Sequence, residues 1–215
     1  MRKPSFKEER KLWKDGVEYV LGIDEVGRGA FAGPIVAAGV VFPKILRITR
    51  KLSFLKQIND SKQLKAPIRR KLSKKIQKHS VFYAVEEVDI KTINKLGIGR
   101  ANQMAIKRVA KNISLQVKNQ DFFILCDGLP VRGLKNHLSI IDGDCKSITI
   151  AAASIIAKVY RDNLMRRLAK IHPQYKLSRN KGYGTKKHQE ALKLYGLSEI
   201  HRKSFNLNKF LSQSI

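Results

Sequence analysis

The stretch Tyr19–Phe42 reads YVLGIDEVGRGAFAGPIVAAGVVF and joins two apolar segments through a glycine-rich turn. The segments Tyr19–Val26 and Pro34–Phe42 are rich in valine, isoleucine and small apolar residues, which predicts two strands. The turn between them, Gly27–Gly33, contains glycines that let the chain reverse sharply. We therefore expect the fold to begin with a β-hairpin.

Helices and strands alternate after this hairpin. The apolar spacing predicts helices over Pro67–Lys78, Ile90–Leu96, Arg100–Leu115 and Ile148–Ile171, and a last helix from Thr185, as its N-cap, to Leu194. Further strands are predicted at Val81–Val88, Asp121–Cys126 and Ser139–Ile141. This order indicates an α/β fold. We expect a loosely held basic arm over residues 1–16, a core over residues 17–172, and a C-terminal part over residues 173–215 that starts with a loop at 173–184.

Positive charge dominates the composition. The 215 residues include 44 Lys and Arg against 17 Asp and Glu, which gives a formal net charge of +27 and a pI near 10.3. This surplus favours a polyanionic partner such as nucleic acid, and a lysine-rich surface that reflects only genome composition is the alternative. There is no apolar run of about 18 residues, no secretory leader is evident, and two cysteines are too few for a disulfide framework. We expect no membrane segment and a cytoplasmic location.

Acidic residues are scarce, so their positions are informative. Asp24 and Glu25 lie side by side in the first apolar strand, Asp127 follows another, and Asp144 precedes the longest predicted helix. Acidic side chains are rarely buried unless they are paired or bind a metal. Clustered carboxylates provide the oxygen ligands that Mg²⁺ and Mn²⁺ prefer. Two such cations can activate a water and stabilise the leaving oxygen in phosphodiester hydrolysis.

Each of these acids also has a purely structural interpretation. Asp127-Gly128 is a common turn pair, and Asp144 could cap a helix. Asp24-Glu25 could pair with a buried arginine. Neighbours in a strand point to opposite faces, so Glu25 reaches the site of Asp24 only if the strand ends or bulges there. The residues alone therefore leave the metal site as one of several interpretations.

Several sequence blocks resemble, in the same order, those of the ribonuclease HII family. The first is Gly22–Gly29, GIDEVGRG, which continues to Pro34. The others are Asn59–Leu64 (NDSKQL), Cys126–Gly128 (CDG), Gly143–Ser147 (GDCKS) with Ala151–Val159 and Arg161-Asp162, Lys181–Thr185 (KGYGT) with His188, and His201–Phe205 (HRKSF). The blocks extend over residues 20–205, and together they are far more specific than any single motif.

The resemblance implies a ribonuclease H-like mixed sheet flanked by helices, with a helical C-terminal extension. It implies a catalytic site for two divalent cations, Mg²⁺ or Mn²⁺, formed by Asp24, Glu25, Asp127 and Asp144. It also implies that the ribonucleotide is recognised by Gly27, Arg28, Gly29 and Tyr183. The expected substrates are RNA–DNA hybrids and duplex DNA with single embedded ribonucleotides. We expect a monomeric endonuclease that leaves 3′-hydroxyl and 5′-phosphate ends.

Two other interpretations remain. One is a hybrid nuclease similar to ribonuclease HIII, against which Arg28 in the glycine turn and the short N-terminal segment argue. The other is a non-catalytic nucleic-acid-binding protein of the same fold. The intact set of four acids argues against it, because acids without metals would only weaken binding to a polyanion.

Further polar side chains are candidates for contact with substrate phosphate: Asn59, Lys62, Ser154 and Lys158. Lys62 could equally belong to a helix start that is capped by Asp60 or Ser61. Ser154, Lys158 and Asp162 are four residues apart and share a helix face, and we interpret Asp162 as the partner of a basic residue.

The remaining motif residues receive more modest predictions. His188 and His201 are expected to be structural or to lie near phosphate, and not to be catalytic. The basic residues from Arg166-Arg167 through Lys186-Lys187 to Arg202-Lys203 are expected to contact the nucleic acid backbone. Cys126 and Cys145 are expected not to form a redox pair, because Cys126 should point away from the site if Asp127 points into it.

Overall fold

The structure, a computed structural model, describes residues 3–44, 49–117 and 122–211. The strands are β1 (Tyr19–Val26), β2 (Ile35–Val41), β3 (Phe82–Val88), β4 (Phe122–Asp127) and β5 (His137–Ile140). The α-helices are α1 (Lys7–Lys14), α2 (Ala66–His79), α3 (Ile90–Leu96), α4 (Ile98–Gln116), α5 (Ile148–Ile171), α6 (Leu177–Asn180) and α7 (Lys186–Tyr195). Short 3-10 helices lie at Arg50–Gln57, Gly143–Cys145, Pro173–Tyr175 and Asn208–Phe210. The predicted α/β order is confirmed, with boundaries that shift by one or two residues.

The strands form one mixed sheet in the order β3-β2-β1-β4-β5. The predicted hairpin is present: β1 and β2 are antiparallel, with Leu21 opposite Val41 and Val26 opposite Val36. On its other side β1 runs parallel to β4, which runs parallel to β5. Because parallel strands end at the same edge, the sheet brings the carboxyl ends of β1 and β4 together.

Helices cover both faces of the sheet. Val20 of β1 belongs to the apolar cluster under α5, whereas Leu21 and Ile23 belong to the cluster under α4. Burying one such aliphatic side chain stabilises the fold by about 1.5–3 kcal/mol. At Gly22 any side chain would collide with the backbone at Thr149, so the glycine allows α5 to approach β1 closely. The apolar contacts therefore fix α5 directly over the end of β1.

The N-terminal segment is not a loosely held arm. In its described part, residues 3–16, the rings of Phe6 and Trp13 are buried with their centroids 5.6 Å apart, and both join the core under α5. The Glu9 carboxylate accepts hydrogen bonds from the Ser147 hydroxyl and the Thr149 N–H. The prediction was wrong because the few apolar side chains share one helix face, which packs on the core despite the surrounding charge.

The C-terminal part is more ordered than predicted. The expected loop at 173–184 contains the 3-10 helix Pro173–Tyr175 and α6, because Tyr175 and Leu177 are buried in an apolar cluster with residues of α7. Thr185 stands at the N-cap of α7, but its side chain makes no capping hydrogen bond. Asp121, predicted to start β4, and residues 1–2 and 212–215 lie outside the described residues. None of the described helices has the length and apolarity needed to cross a membrane.

Candidate active site

The predicted acidic residues meet at the sheet edge where β1 and β4 end. Asp24 and Glu25 are among the last three residues of β1, and Asp127 is the last residue of β4. Asp144 lies in the 3-10 helix before α5. Asp24, Glu25 and Asp127 line a cavity of about 470 Å³. The Gly143 N–H donates to Oδ1 of Asp127 over 2.6 Å, which ties the segment that carries Asp144 to the end of β4.

Asp24 and Glu25 approach this cavity from opposite faces of β1. Ser154 of α5 lies beside the Asp24 carboxyl and lowers its pKa against the larger effect of burial, and Asn102 of α4 does the same for Glu25. Pairing of β1 with β2 continues regularly past both acids, so there is no bulge. Pairing of β1 with β4 ends at Ile23 instead. The sheet therefore opens beside both acids, and this opening lets two strand neighbours share one cavity.

Burial and mutual repulsion disfavour ionisation of these carboxylates. Burial raises the pKa of Asp24 well above its usual range, and the charges of Glu25, Asp127 and Asp144 raise it further. Burial is also the main cause that raises the pKa of the other three. Within residues 3–44, 49–117 and 122–211, none of the four acids forms a salt bridge, so no buried arginine pairs with them. The four acids therefore lie together without a bonded cationic side chain in this part of the protein.

The loop before α2 contributes an acid that the sequence analysis did not assign to the site. Asp60, Asp144 and Cys145 offer ligand atoms that lie within 4.8 Å of one another. Asp60 also accepts a hydrogen bond from the Lys62 N–H over 2.8 Å, which closes a turn. It does not cap a helix, because α2 begins at Ala66 with Lys65 at its N-cap. The only signal available for Asp60 was its place inside the Asn59–Leu64 block.

Lys62 and Asn59 differ in their surroundings. Lys62 lines the cavity; burial lowers the pKa of its ammonium, but the charges of Asp144, Asp60 and other acids outweigh this and raise it. Asn59 is not among the described residues that line the cavity. Its side chain donates to Gln63 and accepts from the Asp60 N–H, so it shapes the loop. The structure thus places Lys62, but not Asn59, where a substrate could touch it.

One face of α5 completes the cavity wall, as its four-residue spacing predicts. Ser154 and Lys158 line the cavity, and the Ser154 hydroxyl donates to Ser61 over 2.9 Å. Asp162 forms ion pairs with Lys158 at 2.8 Å and with Arg69 at 3.3 Å. The interpretation of Asp162 as the partner of basic residues is confirmed.

The Gly27-Arg28-Gly29 turn is held from behind by a buried arginine. Arg202 donates to the carbonyl oxygens of Gly27 at 2.6 Å, Arg28 at 3.0 Å and Gly33 at 2.8 Å. Its side chain is fully buried, so the expectation that it contacts nucleic acid is wrong. Burial lowers its pKa to about 9. In the sequence Arg202 lies in a basic segment typical of solvent-exposed charges. No neighbouring residue distinguishes a buried arginine from an exposed one.

A second buried arginine limits the turn on its other side. Gly27 has φ +94°, and any side chain there would collide with Arg161. Arg161 donates to the carbonyl oxygens of Pro34 at 3.0 Å, Ala32 at 3.1 Å and Lys181 at 2.9 Å. Glycine at position 27 is thus required by both its backbone conformation and its neighbour.

Tyr183 lies beside this turn although 154 residues separate it from Gly29 in the sequence. It lines the cavity, forms an isolated antiparallel bridge with Ala30, and has Lys158 Nζ 5.8 Å and Arg161 Cζ 5.5 Å from its ring centroid. These cations hold the ring by cation–π attraction. The structure therefore brings the predicted turn and the predicted aromatic residue to one cavity wall.

The two cysteines are free thiols. Cys126 is buried in the apolar cluster under α4, and burial raises its pKa to about 12. Cys145 is partly exposed beside Asp144. As predicted, Cys126 turns away from the face on which Asp127 meets Gly143.

Comparisons with known proteins agree with this geometry. Residues 21–208 match the family model of ribonuclease HII. The ribonuclease HII of Caldanaerobacter subterraneus subsp. tengcongensis is 42% identical over 198 residues, which cover 92% of this chain and 78% of that protein. The crystal structure of ribonuclease H2 from Pyrococcus horikoshii OT3 has a TM-score of 0.68 and 27% identity, with coverage of 89% of this chain and 96% of its own. Bst-RNase HIII in complex with Mn²⁺ has a TM-score of 0.73 at 19% identity, with coverage of 89% and 68%, and supports the fold alone. The chain therefore belongs to the ribonuclease HII family and is a ribonuclease H, a hydrolase.

Proposed function

We propose that this protein is an endonuclease that hydrolyses the RNA strand of RNA–DNA hybrids and cuts at single ribonucleotides in duplex DNA. In this proposal, two divalent cations support the reaction, and the products carry 3′-hydroxyl and 5′-phosphate ends. One observation carries the proposal: the carboxylates of Asp24, Glu25 and Asp127 face the same cavity as the glycine turn and Tyr183. A phosphodiester could therefore lie against the acids while its sugar lies against the turn.

The acids fit divalent cations by their chemistry. They are oxygen donors without a bonded cationic partner in the described part of the chain, and burial raises the pKa of each one. Hard cations such as Mg²⁺ and Mn²⁺ would be held by Asp24, Glu25, Asp127 and Asp144. When bound, two such cations activate a water and stabilise the leaving oxygen.

The other cavity residues would bind and orient the substrate. Lys62 and Lys158 place two ammonium groups beside the acids, where they can attract the phosphates that flank the cut. Ser154 offers a hydroxyl near the same position. The 2′-hydroxyl distinguishes RNA from DNA, and the backbone of the Gly27-Arg28-Gly29 turn can approach it because side chains are missing at both glycines.

A non-catalytic nucleic-acid-binding protein is the competing function. It would gain nothing from four clustered acids, which repel phosphate unless cations neutralise them. A nuclease specialised for long hybrids, as expected for a protein similar to ribonuclease HIII, is the second competitor. The family match favours ribonuclease HII. The cytoplasmic location and the monomeric state remain predictions.

A cleavage assay separates these functions. Duplex DNA with one ribonucleotide, a long RNA–DNA hybrid and an all-DNA duplex are incubated with the protein in Mg²⁺, in Mn²⁺ and in a chelator. We expect incision of the first two substrates only with a cation, and end-mapping should find a 3′-hydroxyl and a 5′-phosphate. Binding of the hybrid without incision in either cation would support the non-catalytic protein. Incision of the long hybrid alone would support the specialised nuclease.

A further inference from the structure

Two histidines are buried behind the cavity wall, and the proposed reaction does not use them. His188 in α7 and His201 in the C-terminal segment are 0% and 2% exposed. Their Nε2 atoms lie 3.2 Å apart. The ring of Tyr175 packs against this histidine pair, with its centroid 4.6 Å from that of His201. A polar contact this deeply buried must be well satisfied to persist.

The partners at each end fix where the protons lie. At one end the Ser198 N–H donates to Nδ1 of His201 over 3.0 Å, so this nitrogen is unprotonated and Nε2 carries the proton. At the other end Nδ1 of His188 lies 3.0 Å from the Tyr183 carbonyl oxygen, which can only accept. Nδ1 of His188 therefore carries a proton, and its Nε2 is free to accept.

Both ends require the same direction of donation. The chain of hydrogen bonds runs from the Ser198 N–H to His201, from His201 to His188, and from His188 to the Tyr183 carbonyl oxygen. Burial lowers the pKa of His201 to about 4, with the neighbouring ring as the next cause, and burial also lowers that of His188. Both rings are therefore neutral at neutral pH, as the chain requires, because an extra proton would place two N–H groups against each other.

The same segment also holds the glycine turn. Arg202, next to His201, donates to the Gly27 and Arg28 carbonyl oxygens. Its own N–H donates to the Phe31 carbonyl oxygen over 2.8 Å, and the backbone at Ala32 bridges to His201. Two consecutive residues thus anchor both structures that border the cavity: the turn directly, and Tyr183 through His188.

We propose that His201 and His188 are positioning residues that set Tyr183 against the Gly27-Arg28-Gly29 turn through one directed chain of hydrogen bonds. This inference rests on the proposed function, because it assigns the pair to recognition of the ribonucleotide. The histidines do not touch the substrate. They act through the backbone of Tyr183, whose ring forms the cavity wall.

The tautomers provide a test that needs no activity. Two-bond ¹H–¹⁵N NMR spectra of the unmodified protein at neutral pH report which ring nitrogen carries the proton. We expect the Nε2–H form for His201 and the Nδ1–H form for His188, each in a single state. A histidine-containing peptide in the same buffer, whose free ring populates both forms, serves as the reference. The opposite tautomer at either ring, or a charged ring, would refute the proposed direction of these hydrogen bonds.

Kinetics test whether the chain positions Tyr183. His201→Gln should lower the cleavage rate at a single ribonucleotide by about tenfold or more, since a displacement of about 1 Å can cost up to a hundredfold. On a long hybrid the loss should be under about threefold, because many ribonucleotides can occupy the site. In a Tyr183→Ala background, His201→Gln should add less than about twofold, because its effect passes through that ring.

His172→Gln is the matched control. His172 stands at the C-terminal end of α5 and its ring packs near Tyr175, but it pairs with exposed Glu199 and makes no hydrogen bond with His188, His201 or Tyr183 in the described part of the chain. We expect it to leave the ratio of the two cleavage rates unchanged. If the losses from His201→Gln and Tyr183→Ala multiply, or if His201→Gln lowers both rates equally, the positioning role is refuted. If the unmodified protein cuts neither substrate, the proposed function fails, while the tautomer result still decides the chain.

Discussion

The guanidinium of Arg202 donates to the carbonyl oxygen of Gly27 over 2.6 Å, across 175 positions of the sequence. The planar group also reaches the carbonyl oxygens of Arg28 and Gly33, so one side chain fixes three peptide groups of the turn. It does so without a salt bridge within the described residues, although it is fully buried. Backbone carbonyl oxygens therefore accept the hydrogen bonds of this cation, and the Phe205 ring centroid lies 6.0 Å from its Cζ.

Arg202→Lys should disrupt the turn although it keeps the charge. An ammonium is a compact donor and cannot span three separate carbonyl oxygens as a guanidinium does. We expect cleavage at a single ribonucleotide to fall by about tenfold or more, because the turn loses its fixed position. The control is Arg167→Lys on the exposed face of α5, which should leave the rate unchanged. Equal rates for the two variants would show that the turn keeps its conformation without the hydrogen bonds of Arg202.

Asp24→Asn and Asp127→Asn should each abolish cleavage and leave binding of the hybrid nearly intact. Each change removes a negative ligand from the proposed cation site, and losses well beyond about tenfold are expected when the geometry of in-line displacement is damaged. Rates in Mg²⁺ and in Mn²⁺ and filter-binding affinities provide the measurement. Asp15→Asn, a change at the end of α1, is the control. Near-normal turnover by either site variant would remove the residue from the catalytic set.

Asp24→Asn should also stabilise the protein when no divalent cation is present. The pKa of Asp24 is raised in the folded state. Its contribution to the free energy of unfolding is therefore most favourable below the unfolded pKa and declines as pH rises through the folded pKa. At neutral pH this acid therefore lowers the free energy of unfolding, and asparagine, which does not titrate, removes this cost. We expect a melting temperature several degrees above that of the unmodified protein, since about 1 kcal/mol shifts it by about 2–4 °C at this size.

Two further measurements check this stability prediction. The difference in melting temperature should grow between mildly acidic and neutral pH, because only the unmodified protein ionises Asp24. Adding Mg²⁺ should raise the melting temperature of the unmodified protein more than that of the variant, because a ligand that binds the folded state stabilises it. A variant that melts lower at every pH would show that Asp24 stabilises the fold through its hydrogen bonds.

Glu9 anchors α1 to the start of α5, and its two substitutions should differ. Oε1 of Glu9 accepts from the Ser147 hydroxyl, the Thr149 hydroxyl and the Thr149 N–H, whereas Oε2 is buried and has no hydrogen-bond partner among the described residues. Glu9→Ala leaves these donors unsatisfied and should cost about 3 kcal/mol in the free energy of unfolding. Glu9→Gln keeps one accepting oxygen and should cost much less.

The pH dependence of Glu9 follows from its burial. Burial raises the pKa of Glu9, so its ionisation lowers stability as pH rises through the folded pKa. In denaturant unfolding, the free energy of unfolding of Glu9→Gln should decline less over that pH range than that of the unmodified protein. If Glu9→Gln and Glu9→Ala lose equal stability, the negative charge at the start of α5 is what stabilises the helix.

Tyr183→Ala should lower cleavage at a single ribonucleotide much more than cleavage of a long hybrid. The ring lies beside the glycine turn, where stacking near the sugar would help to detect the one RNA residue. Tyr183→Phe keeps the ring and should retain most activity if the ring face is what matters. Rates of the three proteins on both substrates decide the point. Equal losses on both substrates would reduce Tyr183 to a packing residue.

Local patterns in the sequence determined much of this protein. The two apolar segments and the glycine-rich turn within Tyr19–Phe42 predicted the hairpin, and the spacing over Ile148–Ile171 predicted α5 at its observed bounds. These elements depend on residues within a few positions of one another, which is what propensity and periodicity record. The order of the motif blocks likewise predicted the family and placed Asp24 and Tyr183 at one site.

Contacts between distant segments were decided only by the tertiary structure. The sequence allowed a bulge at Glu25, but the early end of β1–β4 pairing is what opens the site. It could not distinguish buried Arg202 from a solvated basic tail, nor the packed α1 from a loose arm. Burial depends on which chain segments, more than a hundred residues apart, come to surround a side chain. A charged residue therefore looks the same in sequence whether water or backbone carbonyl groups surround it.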